Sequence, residues 1–168
     1  MTETLSPALP PDVEAMAHAV AARACEREVM LATAESCTGG LLAAMLTDIE
    51  GCSHAFERGF VVYTDEAKHQ LLGVPEGVLS GPGAVSAEAA RAMAVGALAN
   101  SRAHIAVSIT GFAGKGAPGD EPGLVFFGLA SHDEPARTVE KHFGDLGRGG
   151  VRLECLRTAL KLMQDALG

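Results

Sequence analysis

Apolar residues recur along the chain at the spacings of both strands and helices, and the two kinds of segment alternate. Residues 29–34 form a nearly continuous apolar run and residues 60–63 a compact run of β-prone side chains, so both are predicted strands. Ile105, Val107 and Ile109 occupy every second position, which predicts a third strand. Apolar positions three and four residues apart predict helices between these strands and at both ends of the chain.

Capping residues and helix breakers indicate where these helices and the loops between them lie. Asp12 is the predicted N-cap of the first helix, and a second helix covers residues 41–49. The remaining helices are predicted to begin after Thr64, after Ser86 and at Arg148. Residues 75–83 and 111–123 are rich in glycine and proline and are therefore predicted loops.

The order of the elements predicts the fold class. Two further strands, at residues 124–130 and 138–143, follow the last loop as a hairpin. Alternating strands and helices with such a hairpin predict an α/β fold, a single-domain α/β/α sandwich whose mixed β-sheet is covered by helices on both faces. The domain is predicted to cover residues 11–168. Residues 1–10 show little periodicity and are a predicted flexible N-terminal arm.

Polar turns follow three of the predicted strands, at residues 36–40, 63–68 and 110–116. In open α/β sheets the ligand lies beyond the carboxyl ends of the strands, where these turns can meet. The loop at residues 111–123 is long for a connection in a compact domain, and such loops are often functional. The sequence therefore predicts a functional site at this edge of the sheet.

Charge and composition argue against several classes of function. The formal net charge of -8 disfavours direct nucleic-acid binding, which needs clustered Lys and Arg. No signal-like segment and no apolar run of about 18 residues is present, so no membrane association is expected and a cytoplasmic location is predicted. The 4 cysteines form no Cys-x-x-Cys pair and the 6 histidines are scattered, so no metal and no cofactor is expected.

Residues 35–40, Glu-Ser-Cys-Thr-Gly-Gly, join the first predicted strand to a helix. Such a turn directs backbone N–H groups at one point and can hold a phosphate or an oxyanion. Ser36 is the leading candidate nucleophile, and Cys37 is either a rival nucleophile or a buried thiol. No histidine lies beside the turn, so Lys68 is the best candidate base, provided that burial lowers its pKa. Tyr63, the only tyrosine, ends the β-run before it.

Several other residues near the predicted strand ends are candidates for substrate binding. Glu35 either orients a lysine or holds a ribose hydroxyl, or it anchors the N–H groups of its own turn. Arg148 is either a phosphate ligand, through its planar guanidinium, or a solvated helix-end residue. The predicted substrate-binding residues are Glu35, Thr38, Gly39, Gly40, Thr110, Gly111 and Arg148.

The motifs taken in chain order resemble one known family. They are Thr-Ala-Glu-Ser-Cys-Thr-Gly-Gly at residues 33–40, Val62-Tyr63 with Lys68, Leu-Gly-Val at residues 72–74, Gly-Ala-Val-Ser at residues 83–86, and Ile-Thr-Gly at residues 109–111 with Ala113-Gly114. In this combination the chain resembles the CinA C-terminal domain family over nearly its whole length, in the stand-alone form of the domain.

This resemblance implies a metal-independent hydrolase that converts nicotinamide mononucleotide to nicotinate mononucleotide and ammonia, in pyridine nucleotide salvage. Ser36 falls on the serine of the family that attacks the carboxamide. Lys68 and Tyr63 fall on the family's Tyr-x-x-x-x-Lys stretch, and Thr110 and Gly111 on its Thr-Gly loop. The catalytic residues implied are therefore Ser36, Lys68 and Tyr63.

Three segments depart from the family's pattern. Arg58-Gly59-Phe60 stands where a double glycine is usual before the Val-Val-x-Tyr strand. Lys115 stands where the loop commonly has proline, and it adds a positive charge near the implied substrate. The usual Gly-Asp-Arg is spread over residues 144–148, which affects the placement of Arg148.

Two other functions remain alternatives at the level of sequence. A non-catalytic nucleotide-binding module, or one that takes part in competence or DNA-damage interactions, could retain the same fold. An amidohydrolase acting on a different small carboxamide would use the same residues. In either case the alanine-rich helices and modest length favour a homo-oligomer, a dimer or a trimer.

Overall fold

The computed structural model describes residues 9–168, which form six helices and five strands. Of the predicted N-terminal arm, residues 1–8 lie outside the described residues. In chain order the elements are α1 (Pro11–Glu26), β1 (Leu31–Glu35), α2 (Leu41–Thr47), β2 (Phe56–Val61), α3 (Asp65–Leu72), α4 (Glu76–Ser80), α5 (Ala87–Ala99), β3 (Ile105–Gly111), β4 (Leu124–Ser131), β5 (Arg137–His142) and α6 (Gly147–Leu167).

The five strands form one mixed sheet in the order β2-β1-β3-β4-β5. β1 pairs in parallel with both β2 and β3, whereas β4 is antiparallel to β3 and to β5. Glu35, at the end of β1, is in register with Val61 of β2 and Ile109 of β3. The three parallel strands therefore end together, and the turns that follow them lie along one edge of the sheet.

Alternation within the strands supplies two apolar cores, one on each face of the sheet. Ile105, Val107 and Ile109 belong to the core beneath α1, α2 and α6, and Ala106 belongs to the core beneath α3 and α5. This arrangement confirms the predicted α/β/α sandwich with a mixed sheet. No helix within residues 9–168 combines the length and hydropathy that crossing a bilayer requires.

Small residues let α5 pack unusually close to its neighbours. A Cβ atom on Gly128 of β4 would lie 2.3 Å from the Ala90 carbonyl oxygen, and one on Gly96 would lie 2.0 Å from the Leu72 carbonyl oxygen. The Ser108 hydroxyl donates a hydrogen bond of 2.6 Å to the same Ala90 carbonyl. This close packing brings α3, which carries Lys68, and α5 against the sheet.

Three local predictions were wrong. β2 covers Phe56–Val61 rather than residues 60–63. Gly59 is a poor strand former, but a glycine fits there because a Cβ would meet the Thr33 hydroxyl at 2.9 Å. The predicted loop at residues 75–83 contains the short helix α4. The N-cap of α1 is Pro10 rather than Asp12, whose carboxylate instead pairs with Arg157 of α6 at 2.7 Å.

Candidate active site

The turn after β1 reverses the chain sharply into α2. Gly39 and Gly40 have φ angles of 61° and 94°, in the left-handed region that glycine adopts without a steric cost. The Gly39 N–H donates to the Ser36 carbonyl at 3.1 Å and closes the turn. Ser36 is held at the carboxyl edge of the sheet with 8% of its surface exposed.

Glu35 anchors this turn from below. Its side chain is fully buried, and its two carboxylate oxygens accept four hydrogen bonds of 2.6–3.2 Å, from the Thr38 hydroxyl and from the N–H groups of Gly40, Leu42 and Ala43. Of the three roles considered for Glu35, the geometry favours anchoring over orienting a lysine and over substrate binding, because both oxygens are already occupied. The buried Thr38 hydroxyl is occupied in the same way, and none of residues 35 and 38–40 lines the cavity described below.

We expect Glu35→Ala to lower the free energy of unfolding by about 3 kcal/mol, because it strands three N–H groups and a hydroxyl without an acceptor. Urea unfolding of the variant measures this loss. Glu50→Ala, at an exposed position just beyond α2, is the matched control and should change stability by less than about 0.5 kcal/mol. Equal unfolding midpoints for the two variants would contradict the anchoring role.

Lys68 approaches Ser36 from α3. Thr64 caps that helix by accepting the Ala67 N–H at 3.1 Å, and the Lys68 side chain, only 1% exposed, points under the helix toward the sheet edge. Its Nζ lies 3.1 Å from Ser36 Oγ, 3.1 Å from the Val62 carbonyl and 3.3 Å from the Tyr63 carbonyl. The structure therefore brings the predicted nucleophile and the predicted base into direct contact.

The surroundings of Lys68 make its amine easier to deprotonate than that of an ordinary lysine. Burial lowers the pKa of Lys68 below the 10.5 of an ordinary lysine, and this outweighs the opposite effects of the charges of Asp65 and Cys37. Among residues 9–168, no carboxylate forms an ion pair with Nζ. Two carbonyl oxygens can only accept, so a neutral amine donates its two hydrogens to them and turns its lone pair toward the Ser36 hydroxyl.

A cavity of about 520 Å³ is lined by Ser36 and Lys68. Its volume lies within the roughly 300–1,000 Å³ of typical small-molecule sites. The other walls come from Tyr63 and Asp65, from residues 84–85, from residues 110–116 and from Arg148 at the start of α6. Three separate segments of the sheet edge thus converge on one site, as the positions of the polar turns predict.

Thr110 and Gly111 line the cavity, and each also contacts another part of the protein. The Thr110 hydroxyl donates to the Ala84 carbonyl at 2.7 Å and so holds the opposite wall in place. Gly111 lies against β4, where a Cβ would come within 2.6 Å of the Leu124 carbonyl oxygen. Both residues therefore shape the wall of the cavity, and their predicted contact with substrate stays a prediction.

Tyr63 meets Lys68 through its backbone rather than its ring. Its carbonyl accepts a hydrogen bond from Lys68, while its side chain is 66% exposed at the cavity and its phenol makes no hydrogen bond within residues 9–168. A direct role for the phenol in proton transfer stays a prediction.

Cys37 also lines the cavity, with 7% of its surface exposed. The thiol of Cys155, on α6, lowers the pKa of Cys37, and burial works in the opposite direction. In the described part of the chain, Lys68 donates no hydrogen bond to Cys37, whereas it does contact Ser36. The position of the base therefore favours Ser36 over Cys37 as the nucleophile.

Arg152, on α6, is a part of the site that the sequence reasoning missed. Its guanidinium donates to the Thr38 carbonyl at 2.8 Å and lies 3.5 Å from the position of a Cβ on Gly39, so it supports the Ser36 turn from the side opposite α3. More than a hundred residues separate the two partners, and no local pattern links them. In the described residues, no three His, Cys, Asp or Glu side chains converge as a metal site.

The fold and the site together define an α/β sandwich protein with a serine and a buried lysine paired in a cavity at the sheet edge. The sequence pattern described as the CinA C-terminal domain matches residues 13–167. The chain belongs to the CinA C-terminal domain family, as its motifs predict.

Individual relatives agree with this assignment. The Escherichia coli K12 protein named nicotinamide-nucleotide amidohydrolase PncC is 44% identical over 140 residues, which is 82% of this chain and 84% of that protein. A protein of the same name from Enterobacter agglomerans is 47% identical over 135 residues, 76% of this chain and 81% of that protein. The crystal structure of the competence/damage inducible protein CihA from Agrobacterium tumefaciens superposes with a TM-score of 0.90 at 41% identity and covers 99% of both chains.

Other relatives are much longer than this chain. The chain spans 30% and 28% of the length of two proteins from Caldicellulosiruptor bescii and Symbiobacterium thermophilum, which are named for competence-damage induction and are 48% and 52% identical to it. The family therefore includes proteins in which this domain is one part of a larger chain.

Proposed function

We propose that the protein hydrolyses the carboxamide of nicotinamide mononucleotide to nicotinate mononucleotide and ammonia. The observation that carries the proposal is the 3.1 Å contact between Lys68 Nζ and Ser36 Oγ, two buried residues that line a cavity of about 520 Å³. It is supported by two relatives of 44% and 47% identity that are named nicotinamide-nucleotide amidohydrolases. The same proposal places the protein in pyridine nucleotide salvage in the cytoplasm.

In the proposed mechanism the neutral Lys68 amine takes the Ser36 proton as Oγ attacks the carboxamide carbon. The tetrahedral intermediate then collapses, Lys68 returns the proton to the leaving nitrogen, and ammonia departs from an acyl ester on Ser36. Water attacks the ester with Lys68 again as the base, which releases nicotinate mononucleotide and restores the serine hydroxyl. The pyridinium ring withdraws electrons from the carboxamide, so these steps call for no metal and no organic cofactor.

The oxyanion of the intermediate needs N–H donors beside Ser36. The Gly39 N–H already donates to the Ser36 carbonyl, and residues 38–40 do not line the cavity, so within the turn the N–H group of Cys37 is the better candidate. The four hydrogen bonds to Glu35 hold this turn rigid. Rigid donors act without having to reorganise when charge develops, which is the main advantage of such a site over water.

Trapping of the acyl ester tests the proposal directly. We expect the purified protein to release ammonia and nicotinate mononucleotide from nicotinamide mononucleotide, and to form the corresponding hydroxamate when neutral hydroxylamine is added, since hydroxylamine attacks the same ester as water. Liquid chromatography with mass spectrometry identifies both products. Ammonia release without any hydroxamate would contradict the covalent route.

Two alternatives lead to different results in the same assay. An amidohydrolase with another substrate would leave nicotinamide mononucleotide intact but deamidate a different small carboxamide. A non-catalytic module is favoured by the relatives named for competence-damage induction, and it would bind the nucleotide without releasing ammonia from any carboxamide. The predicted dimer or trimer stays a prediction.

A further inference from the structure

The cavity carries charge of the opposite sign to the protein as a whole. The formal net charge of the chain is -8, yet the charged side chains that line the cavity are three cations, Lys68, Lys115 and Arg148, and one carboxylate, Asp65. With Lys68 neutral the lining still holds two cations against one anion. A cavity of this kind attracts an anionic ligand, and its field acts locally even on an acidic protein.

The two outer cations are available to a ligand. Lys115 lies in the loop between β3 and β4, Arg148 lies in the first turn of α6, and both side chains are exposed. None of the ion pairs among residues 9–168 involves either of them. Two cations on separate elements therefore face one cavity without a carboxylate partner.

The backbone around Lys115 is held in place, although its side chain is exposed. Phe112 and Gly123 pair across the base of the loop, with the Gly123 N–H donating to the Phe112 carbonyl at 2.8 Å. Farther out, the Asp120 carboxylate accepts the Ala117 N–H at 2.7 Å and lies against Gly116, where a Cβ would meet it at 2.5 Å. These contacts hold the loop on both sides of residue 115.

In the lining of the cavity the paired serine and lysine are buried, and the two outer cations are exposed. Ser36 and Lys68 are 8% and 1% exposed, whereas Lys115 and Arg148 are exposed to solvent. A ligand with a carboxamide at one end and an anion at the other matches this arrangement. Nicotinamide mononucleotide has its carboxamide-bearing ring and its 5′-phosphate at opposite ends of the ribose.

We infer that Lys115, together with Arg148, binds the 5′-phosphate of the substrate, which makes Lys115 a determinant of selectivity for a nucleotide over a nucleoside. The inference rests on the proposed function. Arginine can form a bidentate contact with phosphate and lysine adds a point charge, so the two side chains are complementary.

Kinetics with two substrates test the inference. We expect Lys115→Gln to lower kcat/KM for nicotinamide mononucleotide about tenfold, as loss of one charge-assisted contact would. The same variant should leave kcat/KM for nicotinamide riboside, which lacks the phosphate, unchanged. Lys115→Arg should retain most of the selectivity, and Lys141→Gln, at an exposed position on β5 outside the cavity, is the matched control.

A binding measurement separates failure of the inference from failure of the proposed function. Calorimetry with nicotinate mononucleotide and with its nucleoside needs no turnover. The wild type should bind the nucleotide more tightly than the nucleoside, and Lys115→Gln should reduce this difference in affinity. That result would support the inference even if no ammonia were released. The inference would be overturned if Lys115→Gln weakened the binding of both ligands equally, or if it lowered neither the affinity nor kcat/KM. It would also be overturned if the wild type did not bind the nucleotide.

Discussion

Replacement of Ser36 by alanine is expected to lower kcat for nicotinamide mononucleotide by about 10⁴-fold or more, and to abolish the hydroxamate product. The variant removes the atom that forms the acyl ester, and no hydrogen bond joins Lys68 to another hydroxyl within residues 9–168. Ammonia release and hydroxamate formation, followed side by side, measure the effect. Because Glu35 rather than Ser36 anchors the turn, the variant should fold and bind nucleotide nearly as the wild type does.

Ser101→Ala is the control for this prediction. Ser101 is also partly buried and donates its hydroxyl to the Ala97 carbonyl at 2.7 Å, but it lies at the end of the sheet opposite the cavity. It should lose little activity. If Ser36→Ala and Ser101→Ala released ammonia at the same rate, Ser36 would have no part in the chemistry, and Cys37 would become the nucleophile to test.

Replacement of Lys68 by methionine is expected to lower kcat about 10³-fold, which is typical of the loss of a general base. In the wild type, kcat/KM should rise with pH as Lys68 loses its proton, because only the neutral amine can accept the proton of Ser36. Burial places this rise below the 10.5 of an ordinary lysine. The residual activity of Lys68→Met should lack that rise, and a pH profile of the same shape in both proteins would contradict the assignment.

The same lysine makes stability depend on pH, with a sign that can be checked. Below 10.5 and above the lowered folded-state pKa, the unfolded chain holds a proton at residue 68 that the folded chain lacks. The free energy of unfolding of the wild type, relative to Lys68→Met, should therefore rise with pH across that window, by up to about 1.4 kcal/mol per pH unit. Urea unfolding at several pH values measures it, and the difference in stability between the wild type and Lys141→Met, at an exposed position, should not rise with pH across that window.

The contrast between Lys68 and Tyr63 shows how far sequence reasoning could reach into the site. A polar turn after each parallel strand predicts that residues 36, 68 and 110 meet at one edge of the sheet. In the structure, the register of β1 with β2 and β3 brings the ends of these strands to the same edge. The burial of Lys68 depends on how closely α3 packs, which no local pattern specifies. The orientation of Tyr63 is likewise a tertiary outcome, and it brings the carbonyl rather than the phenol to the lysine.

Apart from α4 and the bounds of β2, the sequence by itself determined the elements, the sandwich and the edge of the sheet where the polar turns meet, because hydrophobic period and turn chemistry are local properties of the chain. The tertiary structure alone decided that Glu35 anchors the turn, that Thr110 supports the opposite wall, and that Arg152 lies beneath the Thr38 carbonyl. These roles depend on which donor and acceptor lie within about 3 Å of each other. The partners of Thr110 and Arg152 lie 26 and 114 residues away in the chain, so only packing brings them together. The partners of Glu35 are close in the chain, and they meet its carboxylate because of the path that the turn takes into α2.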